Sequence, residues 1–575
     1  MRTLPFLCAA GVLLAGCATP PSAPVLTDFT ANSGAPRAPE QLAVTFEKAD
    51  LALRVDPATK SLRGDATLTF LATAPLTRIA VELDRNLPVD SASVDGVDLP
   101  AAAISNPDGR LYLTLPTPLA AGARTSIRLR YHGVPHTAKR APWDGGFVWS
   151  TTPSGQPWIA TAVEGEGCDL FWPCIDHPQG KPQEITLHIS VPAPLVAASN
   201  GVALGMDEND GWRTYHWRAK NPSTYGVALN IGPYEMLSGE FDSRFGNKIP
   251  LRMWYLKGNE KKAAALFDEF TPMLTFFEGR IGPYPFADEK MGVVETPHLG
   301  MEHQTINAYG NDYTKAATGY DWLLQHELSH EWFGNQMTNA DWDDMWLHEG
   351  FGSYMQPLYL EYLRGEQAFQ GALFDMRKGL LNKAPVVSGK TQRIEDIYQA
   401  ERGGPGGDIY GKGALILHTL RGLIGDEAFF RATRRLVYGT EAPVPGNFKP
   451  RYGSTREFIA SVKEISGQDL GWFFDAYLYH AALPELVQTR EGELLRLQWK
   501  LKDGGAFPMP LEVRVDDQVV TLPMTGGKGE LRLPAHALVT VDPRARVLRD
   551  EPQIEAWKAD AKERAKKTKA AAAAK

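Results

Sequence analysis

The sequence predicts a multidomain α+β protein: an N-terminal all-β domain, a mainly helical middle domain and a small β domain after it. Three observations predict this. Apolar residues alternate in short runs up to about residue 240, recur at helical spacing to about residue 485, and alternate again beyond. A chain of 575 residues has room for three or four domains. With 43% hydrophobic and 22% charged residues it has an ordinary globular composition, which excludes long disorder, collagen-like repeats and a coiled-coil rod.

The first segment, 1–16, reads as an address. Met1-Arg2 gives a positive end and Leu4 to Leu14 an apolar run too short to span a bilayer. It closes in Leu14-Ala15-Gly16-Cys17, which resembles the lipobox of bacterial lipoprotein signal peptides. The resemblance implies lipidation of Cys17, with 17–41 as a Pro-rich tether. Contact with the membrane would then run through the lipid anchor only, since no other segment approaches the roughly twenty apolar residues of a span. The place this implies is the bacterial cell envelope, on the periplasmic side of the outer membrane.

The all-β domain is expected over 42–240, from runs such as Ala66–Phe70 and Ser126–Tyr131 separated by turn formers such as Asp56-Pro57 and Asn200-Gly201. Cys168 and Cys174, the only cysteines past residue 17, can pair or remain buried thiols. The helical domain, 241–485, is expected from Leu266, Phe267, Phe270, Leu274 and Phe277, and from helical stretches over 320–333, 350–363 and 413–423. Ser454-Thr455-Arg456-Glu457 has capping-box form ahead of another helix. Alternation in Leu495–Trp499 and Leu511–Val515 defines the small β domain, 486–552, and 553–575 is an Ala- and Lys-rich tail expected as a solvated helix. Sixty Lys and Arg against 68 Asp and Glu leave a net charge of −8, which argues against nucleic acid as a partner.

The chemistry concentrates in Trp322–Phe333, which contains His326-Glu327-Leu328-Ser329-His330. His-Glu-x-x-His on a helix sets two imidazoles one turn apart on one face with a carboxylate beside them, the pattern of a metalloprotease zinc site. A four-coordinate catalytic zinc needs a third protein ligand and an open position, and Glu349 is the candidate third ligand. Leu323, Leu324, Trp332 and Phe333 bury this helix, where an unpaired His pair with a central carboxylate would be unfavourable.

At these residues the chain resembles the zinc aminopeptidases typified by aminopeptidase N and the leukotriene hydrolase, a branch of the gluzincins. Eighteen residues separate His330 from Glu349, and Trp332-Phe333-Gly334-Asn335, Leu299-Gly300-Met301-Glu302-His303, Tyr410-Gly411-Lys412-Gly413 and Trp172-Pro173-Cys174-Ile175-Asp176-His177-Pro178 follow the family's motifs. The resemblance implies a saddle-like N-terminal β domain, a thermolysin-like catalytic domain and a sandwich-like C-terminal β domain. It further implies one zinc ion per chain, held by His326, His330 and Glu349, with Glu327 as general base and Tyr410 as donor to the oxyanion. Glu302 and Glu164 would bind the free α-amine of a peptide substrate, with Gly300 and Met301 beside it.

Several positions depart from the family. His303 and His348 stand where Asn is usual, Leu299 and Ala162 where Gly and Gln are, and Asp169 where an Arg is common. His303 and His348 can be donors behind the ligands, extra titrating groups or packing residues. Asp344 can orient a ligand histidine or stand as an exposed acid. The Gly-rich run from Gly403 lacks the Ser or Thr of a phosphate-binding loop and reads as the loop that places Tyr410. The expected activity is removal of N-terminal residues from peptides. The alternatives are epoxide hydrolysis or a narrow peptidase activity on the same site, and a non-catalytic binding scaffold.

Overall fold

The computed structural model describes residues 25–446 and 448–573; the expected signal peptide and Cys17 lie outside them. The N-terminal domain is built on an eight-stranded sheet. Its centre is the hairpin Val44–Asp56 and Ser61–Ala72, turned at Asp56, whose side chain accepts the Ala58 amide at 2.9 Å. In Ser61–Ala72 every second residue is buried, as one-sided packing requires. The one parallel pairing in this sheet joins Val44–Asp56 to Glu184–Pro192. A four-stranded sheet beside it contains Pro157–Ala162, and the chain leaving that strand forms the loop that carries Glu164. Cys168 and Cys174 form a disulfide just beyond.

A five-stranded mixed sheet opens the middle domain, in the order Tyr234–Asp242, Lys248–Leu256, Met291–Glu295, Asn307–Tyr309, Gly300–Met301. Its first strand spans the boundary expected after residue 240. Met291–Glu295 is buried throughout, and the short strand Gly300–Met301 forms the free edge. The helix Trp322–Ser329 lies against this edge and starts at Asp321, whose side chain caps the Leu324 amide at 2.9 Å and accepts the Tyr309 hydroxyl at 2.6 Å. The helices Trp346–Arg364 and Gly411–Ile424 cross where Gly350 meets Gly413; a Cβ on Gly350 would stand 3.1 Å from the Gly413 Cα. That close crossing brings Glu349, one residue before Gly350, and Tyr410, three residues before Gly413, towards a common space.

Ser454 caps the helix Thr455–Ser466 as expected, but Glu457 turns away to pair with Arg451, so only half of the capping box forms. The apolar run 266–277 is divided between two helices, Glu260–Phe267 and Phe270–Arg280. Two three-stranded sheets make the C-terminal β domain, docked through Phe507, whose ring lies 5.1–5.6 Å from those of Trp472, Tyr477 and Trp499. The tail is the helix Pro552–Ala573; its start is docked, with Ile554 buried and the Lys558 ammonium donating to the Leu380 carbonyl at 2.9 Å. Among the described residues no helix is long and apolar enough to cross a membrane.

The expected tether requires correction for its described part. From Leu26 the chain is laid down on both domains, with Thr30, Ser33, Ala38 and Gln41 buried. Proline and small polar residues suit a segment that follows a surface with only the short helix Pro39–Leu42 as well as they suit a free linker, and composition does not separate the two.

Candidate metal centre and active site

Three side chains converge between the helices Trp322–Ser329 and Trp346–Arg364. His326 lies on the first, His330 is the residue that closes it, and Glu349 stands in the first turn of the second. His326 Nε2 and His330 Nε2 are 3.3 Å apart, and Glu349 Oε2 is 3.4 and 3.5 Å from them. Ligand atoms about 2.0–2.1 Å from a tetrahedral zinc are separated by about 3.3–3.4 Å, so this triangle fits one face of such a site. His330 Nδ1 donates to the Phe333 carbonyl at 2.9 Å, which leaves the Nε2 lone pair turned to the triangle. Burial alone would raise the Glu349 carboxyl, but His330 and His326 hold it down at about 2. Two imidazoles and one ionised carboxylate are the donors zinc takes, and among the described residues no other group of three such ligand atoms converges this closely.

Four further expected residues surround the triangle. Glu327 projects towards the edge strand, where a Cβ on Gly300 would lie 2.4 Å from Glu327 Oε1; only glycine permits that approach. Met301, next in the strand, is buried. Glu302 is 4% exposed and Glu164 8%. The Glu164 carboxyl is raised well above its usual range by burial, then by the charges of Glu302 and Glu349. The Glu327 carboxyl is likewise raised by burial and by Glu302. Among the described residues the only ion pairs in this cleft join Glu349 to the two histidines, so Glu164 and Glu302 meet no cation. The Tyr410 ring lies 6.2 Å from that of His326, and its hydroxyl is kept protonated by burial and by the charge of Glu349.

Two tyrosines escaped the sequence reading. Tyr225, from the N-terminal domain, donates its hydroxyl to Glu302 Oε1 at 2.7 Å. Tyr398, in the short helix Ile394–Tyr398, has its hydroxyl 3.3 Å from both Glu164 oxygens and 3.4 Å from Glu349 Oε1, and its ring stacks on Tyr410 at 6.4 Å. No spacing in the sequence marks either one; each is a single tyrosine in an otherwise ordinary stretch.

Of the residues expected behind the ligands, Asp344 is corrected and the alternatives for His348 and His303 narrow to packing. Asp344 orients no histidine; its Oδ1 accepts the Thr455 amide at 2.8 Å at the start of another helix. His348 accepts the Asn339 amide on Nε2 at 2.9 Å, and burial keeps its ring neutral, at about 3. Its ring centre is 6.5 Å from that of His330, which fits the packing alternative. His303 is buried with both ring nitrogens unpartnered and is held at about 3 by burial. His348 and His303 each lie next in sequence to a site residue, but the side chain leaves the backbone on another face.

Comparison with known proteins agrees with this arrangement. Residues 46–225 match the peptidase M1 N-terminal domain and residues 287–477 the peptidase family M1 domain, together more than half of the chain. Aminopeptidase M1-B of Oryza sativa subsp. japonica is 24% identical over 482 residues, 80% of this chain and 52% of that protein. Probable aminopeptidase 1 of Saccharolobus solfataricus is 24% identical over 402 residues, 66% of this chain and 49% of that protein. The chain thus spans about half the length of the curated relatives it matches. An M1 zinc metallopeptidase from Deinococcus radiodurans, solved as a Glu-to-Ala mutant bound to a Tyr-Ser-Ala substrate, superposes with a TM-score of 0.67 at 27% identity, covering 79% of this chain and 98% of that one. A two-domain M1 zinc metallopeptidase bound to L-tryptophan gives 0.66 at 27% identity, covering 79% and 99%.

Proposed function

The chain belongs to the peptidase M1 family, whose solved neighbours are zinc metallopeptidases, and on that premise we propose that it removes single residues from the free N-terminus of peptides. One observation carries the proposal. Glu164 and Glu302 are buried beside the ligand triangle with no cation to meet them. Burying carboxylates without a partner is costly, and a substrate's α-ammonium supplies that partner. A chain extended past that point would put a neutral amide between the two acids, so cleavage stops after the first residue. The tripeptide held by the similar Deinococcus metallopeptidase supports peptides as the substrate class.

Zinc held by His326, His330 and Glu349 would acidify water and polarise the scissile carbonyl. Glu327 takes the proton of the attacking water and passes it to the leaving amine. The Tyr410 hydroxyl, kept protonated, donates to the oxyanion, whose charge exists only after attack. Tyr225 fixes the Glu302 carboxylate, and the free edge of Gly300–Met301 offers main-chain groups to an extended peptide.

A panel of aminoacyl arylamides, with and without chelator, tests the reading in wild type and Glu327→Gln. Release by the wild type should fall by at least about a thousandfold in the variant. Release that survives the substitution would overturn the role of Glu327, and no release across the panel would overturn the activity. Lipid anchoring through Cys17 forms part of the same proposal; Cys17→Ala should move the protein from the membrane fraction to the soluble one, and unchanged membrane association would refute it.

A further inference from the structure

The helix Ile394–Tyr398 is five residues long and has no side-chain cap of its own, yet it delivers Tyr398 to Glu164, Glu349 and Tyr410. So short a helix is not held by its own hydrogen bonds. What holds it comes from more than 360 positions earlier in the chain. The Glu395 amide donates to Asn32 Oδ1 at 3.0 Å and the Ile394 amide to the Ser33 carbonyl at 3.2 Å. The Arg393 guanidinium, immediately before the helix, donates to the Asp28 and Phe29 carbonyls at 3.4 and 2.5 Å.

The same few residues grip the N-terminal domain on their other side. The Ser33 amide donates to the carbonyl of Gly165, the residue after Glu164, at 2.9 Å, and the Ser33 hydroxyl to Asp176 Oδ1 at 3.0 Å. The Arg110 guanidinium stacks on Phe29 at 4.8 Å and donates to the Pro36 carbonyl at 3.0 Å. Gly34, at φ +86°, lies so close to Trp342 that a Cβ would stand 2.0 Å from its Cδ1; Trp342 begins the turn that leads into the Glu349 helix.

We propose that residues 28–34 are a strap that positions the active site: they tie the Glu164 loop to the helix of Tyr398 from outside the cleft and so set the contact between those two side chains within it. The segment does not touch substrate. It acts through Tyr398, which orients the Glu164 carboxylate, and the effect on turnover rests on Glu164 being the amine anchor proposed above.

The test uses the full chain carrying Asn32→Ala, which removes the cap on Glu395, or Gly34→Val, which lifts the strap off Trp342. Arg37→Ala, which removes the hydrogen bond to Gln179 and the charge facing Tyr452 but no hydrogen bond to residues 393–398, is the control. Hydrogen exchange over residues 394–399 should quicken about tenfold in both variants and not in the control. On an aminoacyl arylamide the same variants should raise KM about fivefold with kcat nearly unchanged, because amine anchoring weakens while the chemical step is intact. General loosening would instead lower kcat at constant KM. Unchanged exchange, or faster exchange with unchanged KM, would overturn the strap. Should Gly34→Val fail to fold, Asn32→Ala carries the test. Should the wild type release no arylamide, the aminopeptidase reading falls, and exchange over 394–399 alone then decides for or against the strap.

Discussion

Glu349 and Glu164 share one cleft, are almost equally hidden from solvent at 4% and 8% exposure, and titrate in opposite directions. The Glu349 corner has two imidazoles against the carboxylate and holds it ionised at about 2. In the Glu164 corner burial, with Glu302 and Glu349 added against the carboxylate, pushes the carboxyl well above the usual range. Burial is common to both, so the neighbours decide. The first corner is complete once it has a metal. The second is left with surplus acid and, on the proposed function, is completed by a cation that arrives with the substrate.

The largest effect should come from breaking the first corner. Glu349→Gln removes the only carboxylate of the triangle and should abolish stoichiometric zinc, with kcat falling by about a thousandfold or more. Zinc content after dialysis and arylamide turnover check this together; a variant that kept both would erase the distinction between the corners. Next comes Glu302→Gln in the second corner. The zinc content should stay at one per chain while kcat/KM falls by about 3 kcal/mol, roughly 150-fold, the scale of removing one partner from a buried charge pair. Discrimination between free and N-acetylated peptides should shrink with it. Equal cleavage of the two by the wild type would contradict a cation-seeking corner.

The two corners were not equally legible in the sequence. His326 and His330 are one helical turn apart and Glu349 opens the helix that crosses theirs, so the triangle follows from local periodicity and a short connection. Gly300 lies on the edge strand and Glu302 just past its end, and both were readable from one motif. The contact of Tyr398 with Glu164 joins positions 234 apart, and that of Tyr225 with Glu302 joins two domains; neither leaves a local trace. The strap was concealed by its own composition, and the alternatives for His303 stayed open because adjacency to Glu302 in sequence says nothing about which way a side chain points.

A smaller effect should sharpen what holds the second corner in order. Tyr225→Phe deletes one hydroxyl and leaves the ring, so the Glu302 carboxylate keeps its place and loses one donor at 2.7 Å. A hydrogen bond to a charged group is worth about 1.5 kcal/mol at the low end, so kcat/KM should fall about tenfold, expressed in KM. A loss in kcat alone would assign Tyr225 to the chemical step instead.

The same contrast extends to a buried cation without an acid. Lys181 is 7% exposed, forms no ion pair among the described residues, and donates its ammonium to the Asn335 carbonyl, in the turn after His330, at 2.7 Å. Burial lowers its pKa from 10.5 to about 7. Between those values the unfolded chain holds a proton that the folded chain has released, so folding stability attributable to this residue rises with pH across that window. The slope is about 1.4 kcal/mol per pH unit at most. Below pH 7 both states are protonated and the folded protein carries the whole cost of a buried ammonium. Lys181→Met removes the titrating group while keeping the length of the side chain. The variant should therefore be the more stable of the two at pH 6 and should lose that advantage steadily towards pH 10. Urea unfolding of both proteins at pH 6, 8 and 10 measures it, and a difference that did not vary with pH would mean that Lys181 stays charged when buried, held by more than one carbonyl.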